Sequence, residues 1–114
     1  MREGDHDAPM STFVATLTYE LSADTEADAR KLLKAELAAR RWEDRQDGQK
    51  LPAGTVWMRR GAPAGRTVDH LFDDATQELR DAVAAVAARG PRIALMRAWL
   101  HVSGAGTYGL ARLP

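Results

Sequence analysis

Near the start of the chain, apolar and polar residues alternate with a period of two, over residues 12–21. Phe13 and Leu17 fall on one side of this stretch, and three threonines and Glu20 fall on the other. Such alternation is typical of a strand with one buried face. The sequence therefore predicts a first β-strand at 12–21.

Two later segments change to the period of a helix. In the first, at about 25–40, leucines share one face and basic residues the other, and Ser22 and Asp24 are candidate N-caps. The second follows Thr67, another candidate N-cap, and ends at the glycine–proline pair of 90–91. Its apolar stripe consists of Val68, Leu71, Phe72, Ala75, Leu79, Ala82, Val83 and Val86. We predict two amphipathic helices.

Residues 41–60, between the helices, admit two interpretations. A strand is favoured near 55–60, after turn sequences at 47–48 and 52–54. In one interpretation residues 41–46 form a partner strand, which makes a hairpin with a long loop. In the other, the strand at 55–60 stands alone.

A long alternating stretch, from Ile93 to Ser103, predicts the last strand. One set of side chains is expected to face the helices: Ala94, Met96, Ala98, Leu100 and Val102. The other set is expected to lie on the opposite, open face: Ile93, Leu95, Arg97, Trp99 and His101. Contiguous apolar patches are rarely left in water. We therefore expect this second set to form a homodimer interface, or to hold an unidentified protein or ligand.

The order of elements, β-α-β-β-α-β, is that of a ferredoxin-like α+β domain. We expect an antiparallel sheet with both helices on one face, and residues 110–113 as an extra short C-terminal strand. Residues 1–11 are predicted to be a disordered tail, and residues 12–114 to be a single domain.

Composition narrows the function classes. The chain has no cysteine, which excludes disulfides, thiolate nucleophiles and cysteine-bound zinc. Its 16 basic and 16 acidic residues give a formal net charge of zero, so nucleic acid would be attracted only to a face on which cations are segregated. No run of apolar residues is long enough to span a membrane, and none resembles a signal peptide. We expect a cytoplasmic protein with no membrane partner.

Candidate chemical groups are few. Glu20 ends the first strand, where a carboxylate can support a metal ion at a two-fold axis, although a solvent-facing glutamate is the commoner arrangement. His70 and Asp74 have metal-compatible spacing, but acidic residues also suit a helix N-terminus. The glycine-rich residues 104–109 open no helix, so they do not match a phosphate-binding loop. No catalytic motif is recognisable, and the residues themselves predict no cofactor.

Arginines gather around the predicted hairpin, at Arg40, Arg41, Arg45, Arg59, Arg60 and Arg66. If these arginines lie on one surface with Trp42 or Trp57, they can contact the phosphates of a nucleic acid while the tryptophan ring stacks on its bases. The competing interpretation is a solvated hairpin whose arginines pair with nearby acidic residues.

The segment Tyr19-Glu20-Leu21-Ser22, followed by a charged helix containing residues 29–33, resembles the opening of small ferredoxin-like nucleases. These are the CRISPR-associated adaptation nuclease and the GhoS-type antitoxin endoribonucleases. Residues 51–57 are similar to their second hairpin, and residues 110–113 to their crossing strand. The resemblance implies dimers formed through the sheets, a divalent metal such as magnesium supported at Glu20, and a phosphate contact at Arg30. The chain departs from the group in having glutamate instead of aspartate at position 20, and in lacking the signature Arg-x-Gln-x-Ser-Val-Phe.

Two functions are consistent with these patterns. The first is a small dimeric module that binds a partner or ligand through its open sheet face. The alternative is a nucleic-acid-binding, nuclease-like protein of toxin–antitoxin or CRISPR-adaptation type. The balanced charge and the lack of a strong motif favour the first.

Overall fold

A computed structural model describes residues 10–63 and 65–104. Its elements in chain order are β1 (Met10–Leu21), α1 (Ala27–Ala39), β2 (Arg45–Gln46), β3 (Gln49–Lys50), β4 (Thr55–Pro63), α2 (Val68–Ala87) and β5 (Leu95–Gly104). Within these ranges, neither helix combines the length and the apolar composition needed to cross a membrane.

The main sheet has three antiparallel strands in the order β4-β1-β5. β1 is the central strand, and Leu17 lies opposite Val56 of β4 and Leu100 of β5. β2 and β3 pair with each other in a separate small hairpin. The turn of that hairpin is Asp47-Gly48, whose φ angles of 52° and 77° are both positive, as a type I′ turn requires.

Both helices pack on one face of the sheet and close a single apolar core. The strands contribute Phe13, Ala15, Leu17, Val56, Met58, Ala62 and Val102. The helices contribute Ala29, Leu33, Leu37, Leu71, Ala75, Leu79, Ala82 and Val86. Because alternate strand residues point to opposite faces, every second residue of β1 is left on the side without helices. We call that side the open face.

The α+β class, the two helices and the antiparallel sheet are confirmed. A four-stranded ferredoxin-like sheet is not, because residues 41–46 add to β4 only the isolated bridge between Glu43 and Trp57. Two local features divert the chain: Arg41 has a positive φ of 73°, and the tight turn at 47–48 makes the segment pair with itself. The strand predicted at 110–113 lies outside the described residues.

The two helix starts differ in how they are capped. Thr67 caps α2 as predicted, since its side chain accepts a hydrogen bond from the His70 amide and the His70 ring accepts one from the Thr67 amide. For α1 the prediction is wrong. The N-cap is Glu26, whose side chain makes no capping hydrogen bond. Ser22 lies before the helix, where its amide donates to the Ala94 carbonyl at 2.8 Å.

A β-bulge in β5 changes which face its first residues occupy. Glu20 lies opposite Arg97, but the next residue, Leu21, lies opposite Leu95, so Met96 is an extra residue in β5. A one-residue shift moves side chains to the other face. Leu95 consequently lies opposite Leu21 on the covered side, and Ile93 packs against the core, whereas both were predicted to lie beside Trp99.

Candidate functional site on the open sheet face

The open face presents side chains from all three strands of the main sheet. In one cross-strand row, Thr16 of β1 lies between Trp57 of β4 and His101 of β5. In the next row, Thr18 lies between Thr55 and Trp99. The two outer residues of each row are two strand spacings apart, a distance of about 10 Å.

Trp99 is the most prominent aromatic residue of this face, with 58% of its surface exposed. The Arg97 guanidinium, two residues earlier on the same face, lies 5.7 Å from the Trp99 ring centroid, within the range of a cation–π contact. Arg97 Nε also donates to Glu20 Oε1 at 2.5 Å. Glu20, Arg97 and Trp99 therefore form a row of contacting side chains along the surface.

Trp57 is held at the other side of the face. Its indole N–H donates to the Arg45 carbonyl at 2.5 Å, so the β2–β3 hairpin fixes the edge of the ring. Arg59 follows on the same face, opposite Val14 of β1. The bulge at Met96 has removed Ile93 and Leu95 from this surface. Two tryptophans remain on it, among threonines, arginines, a valine and a histidine.

A groove of about 610 Å³ lies at the end of the sheet, where β1 ends and β4 begins. Its lining residues are Tyr19, Glu20, Leu21, Arg30, Lys34, Asp44, Lys50, Leu51, Pro52, Ala53, Gly54, Thr55 and Val56. Burial raises the pKa of the Tyr19 hydroxyl above its ordinary value of 10.0, and the nearby Arg30 charge opposes this in part. The Tyr19 hydroxyl thus stays protonated, and able to donate, at neutral pH.

Five of the arginines proposed for nucleic-acid binding occupy different places. Arg59 lies on the open face. Arg45 lies in the β2–β3 hairpin at the edge of that face, where its carbonyl accepts from Trp57. Arg30 lines the groove and donates to the Ser22 carbonyl at 2.9 Å. Arg41 lines a separate cavity of about 480 Å³.

Arg60 points to the side of the sheet that the helices cover. Its Nη1 donates to Glu78 Oε2 of α2 at 2.7 Å, and Glu78 Oε1 accepts from the Trp42 indole N–H at 3.0 Å. Trp42 is only 2% exposed. Arg60 and Trp42 therefore connect the strand to the helices, and neither is available on the open face.

The candidate metal residues are occupied by protein partners. The His70 ring caps α2, Asp74 pairs with Arg66, and Glu20 pairs with Arg97. Among residues 10–63 and 65–104, no three His, Asp or Glu side chains come together as metal ligands would.

The sequence interpretation missed the groove. Its only local signal was Gly54, which has a positive φ of 79° and lies in a turn sequence. A Cβ at Gly54 would be 2.7 Å from the Tyr19 carbonyl oxygen, so the loop rests directly on the end of β1. That contact joins residues far apart in the sequence, and no spacing rule would have found it.

Comparison of the chain with protein-family models, with curated proteins and with solved structures finds no match in any of the three.

Proposed function

We propose that this chain is a small recognition module that binds single-stranded nucleic acid across the open face of its sheet. The observation that supports it most is the content of that face. Two aromatic rings that can stack on bases, Trp57 and Trp99, lie on it with Arg59, Arg97 and His101. The proposal reverses the order of preference that the sequence favoured.

The chemistry of single-stranded nucleic acid matches these groups. Unpaired bases stack on exposed aromatic rings, each worth about 1–3 kcal/mol by alanine substitution. Arginines neutralise the phosphates that join the bases. Sheets with exposed aromatic residues and one free face are a common platform for RNA. The neutral net charge of the chain does not exclude this ligand, since attraction depends on the local charges, and Arg59 and Arg97 lie on the same face as the two tryptophans.

The fold we propose is ferredoxin-like, with its fourth strand reduced to the bridge between Glu43 and Trp57. This bridge lies on the outer side of β4, where a fourth strand would continue the sheet. The resemblance to small ferredoxin-like nucleases supports the same ligand class. Metal-dependent cleavage is not part of the proposal.

Fluorescence anisotropy of a labelled single-stranded RNA or DNA, measured at rising salt, tests the function. We expect log Kd to change with log salt by about 0.7 for each phosphate neutralised. Trp99→Ala should weaken binding by about 5- to 150-fold, which corresponds to the loss of one stacked base.

Phe72→Ala is the matched control, because Phe72 is an exposed aromatic residue, at 42%, on α2 and away from the sheet. It should leave the affinity unchanged. Salt-independent binding, or equal losses from the two variants, would count against the proposal.

A second candidate, self-association or binding of a protein partner at β5, is favoured by a separate observation. Met96 is 61% exposed, and residues 95–99 are exposed on both faces of this edge strand. Exposed apolar edge strands tend to pair with other chains. A sedimentation coefficient that rises with concentration, and does so less in Met96→Lys, would favour a homodimer of this kind.

A further inference from the structure

The groove at the end of β1 holds cations that its own carboxylates do not neutralise. Glu20 pairs with Arg97, and Asp44 pairs with Lys34 at 3.0 Å. Within the described residues, Arg30 and Lys50 have no carboxylate partner. Because both line the groove, its interior has an excess of positive charge.

We propose that this groove binds the terminal phosphate of a nucleic-acid strand lying on the open face, an inference that rests on the proposed function. A terminal phosphomonoester carries about −1.5 to −2 charges at pH 7, whereas each phosphodiester within a strand carries one. Two cations in a partly enclosed groove therefore favour the end of a strand over its interior.

A hydrogen-bond donor also lacks a partner in the groove. The Tyr19 hydroxyl is partly buried and makes no hydrogen bond with the described residues. A donor that the protein leaves without a partner is available to a ligand oxygen. A phosphate oxygen placed between Tyr19, Arg30 and Lys50 would satisfy this donor and meet both cations.

The walls of the groove are fixed before any ligand binds. The Tyr19 amide donates to the Gly54 carbonyl at 2.8 Å, and the Leu51 amide donates to the Asp44 carbonyl at 2.8 Å. These bonds hold the 51–54 loop against the end of β1. A site formed in advance loses less freedom on binding, which favours affinity.

The groove adjoins the open face at the end of the sheet, since the two surfaces share residues. Glu20 and Thr55 line the groove, and Thr55 lies in the same cross-strand row as Thr18 and Trp99. A strand whose bases stack on Trp99 can therefore end in the groove, with the apolar side chains of Leu21 and Leu51 beside its terminal nucleotide.

The test compares otherwise identical oligonucleotides that have a 5′-phosphate, a 3′-phosphate or neither. One of the two phosphates should tighten binding to the wild-type chain by about tenfold or more, as a charge-assisted hydrogen bond does. Tyr19→Phe and Lys50→Gln should each remove most of that preference while retaining affinity for the unphosphorylated strand. Thermal unfolding of both variants confirms that the fold is intact.

Lys31→Gln is the matched control for charge, because Lys31 is exposed on α1 and does not line the groove. It should keep the full preference. A free nucleoside monophosphate should compete weakly, because it cannot reach the open face.

The outcomes separate the two proposals. Salt-sensitive binding with equal affinity for all three oligonucleotides would overturn the groove inference and leave the proposed function in place. The groove inference would also be overturned if Lys31→Gln lost as much of the phosphate preference as Lys50→Gln, or if a free nucleotide competed as well as the phosphorylated strand. Absence of binding to every oligonucleotide would overturn the proposed function itself, and the inference with it.

Discussion

The two faces of the sheet are built from the same strands, yet they differ completely in chemistry. On the covered face, Leu17 lies in the apolar core, and Val56 opposite it on β4 is almost fully buried. On the open face, their neighbours Thr18 and Trp57 are partly exposed and lie among arginines. A shift of one residue along a strand therefore separates a group that stabilises the fold from a group available for recognition.

This division means that the two properties can be altered independently. Substitutions on the covered face should change the free energy of unfolding, and substitutions on the open face should change binding. Three predictions test how sharp the division is, from the largest expected effect to the smallest.

The strongest test uses two adjacent residues of β1. Leu17→Ala should lower the free energy of unfolding by about 2–5 kcal/mol, because it leaves a cavity in the core. Thr18→Ala removes only a partly buried hydroxyl, which contacts the Thr55 hydroxyl at 3.3 Å, and should lower it by less than about 1 kcal/mol. Urea denaturation measures both changes. Similar losses in the free energy of unfolding would contradict the prediction that the covered face stabilises the fold more than the open face.

The second test concerns the loop that closes the groove at the end of both faces. Gly54 and Gly48 have similar positive φ angles, 79° and 77°. Gly48→Ala meets no neighbouring atom and should lower the free energy of unfolding by about 1–2 kcal/mol from backbone strain alone. Gly54→Ala adds the clash with the Tyr19 carbonyl and should lower it by about 1–3 kcal/mol more.

Chemical denaturation of the two glycine variants measures this difference. Equal losses would mean that the loop can move away from β1, and the groove wall would then not be fixed in advance.

The smallest effect is expected at the rim of the helix layer. Glu36 accepts from Arg40 Nη1 at 2.7 Å and from Arg89 Nη2 at 2.6 Å, so it joins the ends of α1 and α2. The hydrogen bond from Arg40 lowers the pKa of Glu36 below its ordinary value of 4.5. A lowered folded-state pKa stabilises the protein above 4.5, and this stabilisation is lost as the pH falls through the lowered value.

The free energies of unfolding of the wild type and of Glu36→Gln should therefore become equal as the pH falls below 4.5. Asp73→Asn is the control, since this exposed carboxylate has no ion pair among the described residues. A difference between wild type and Glu36→Gln that is constant from neutral to acidic pH would contradict the prediction.

Several features of the fold were predictable because they depend on short-range spacing. The alternation at 12–21 and the apolar spacing after Thr67 predicted β1 and α2, since burial requires one face of each element to be apolar. The stripe of α2 was overestimated at its start, where Val68 and Phe72 are 39% and 42% exposed.

The site was less predictable than the fold. Trp99, Arg97 and His101 were correctly placed together on one face by alternation alone. Ile93 and Leu95 were placed with them wrongly, because alternation assumes a continuous register and the bulge at Met96 interrupts it. The arginines could not be sorted either, since Arg59 and Arg60 are adjacent in sequence and point to opposite sides.

By itself, then, the sequence determined the α+β class and the amphipathic elements, because their signals lie within a few residues of each other. The tertiary structure decided the rest. Pairing of β1 with both neighbours set the register that puts Trp57 and Trp99 on the open face. Packing against α2 buried Trp42, whose indole N–H donates to Glu78, and the contact of Gly54 with Tyr19 formed the groove. These outcomes depend on contacts between residues distant in the chain, which no local pattern encodes.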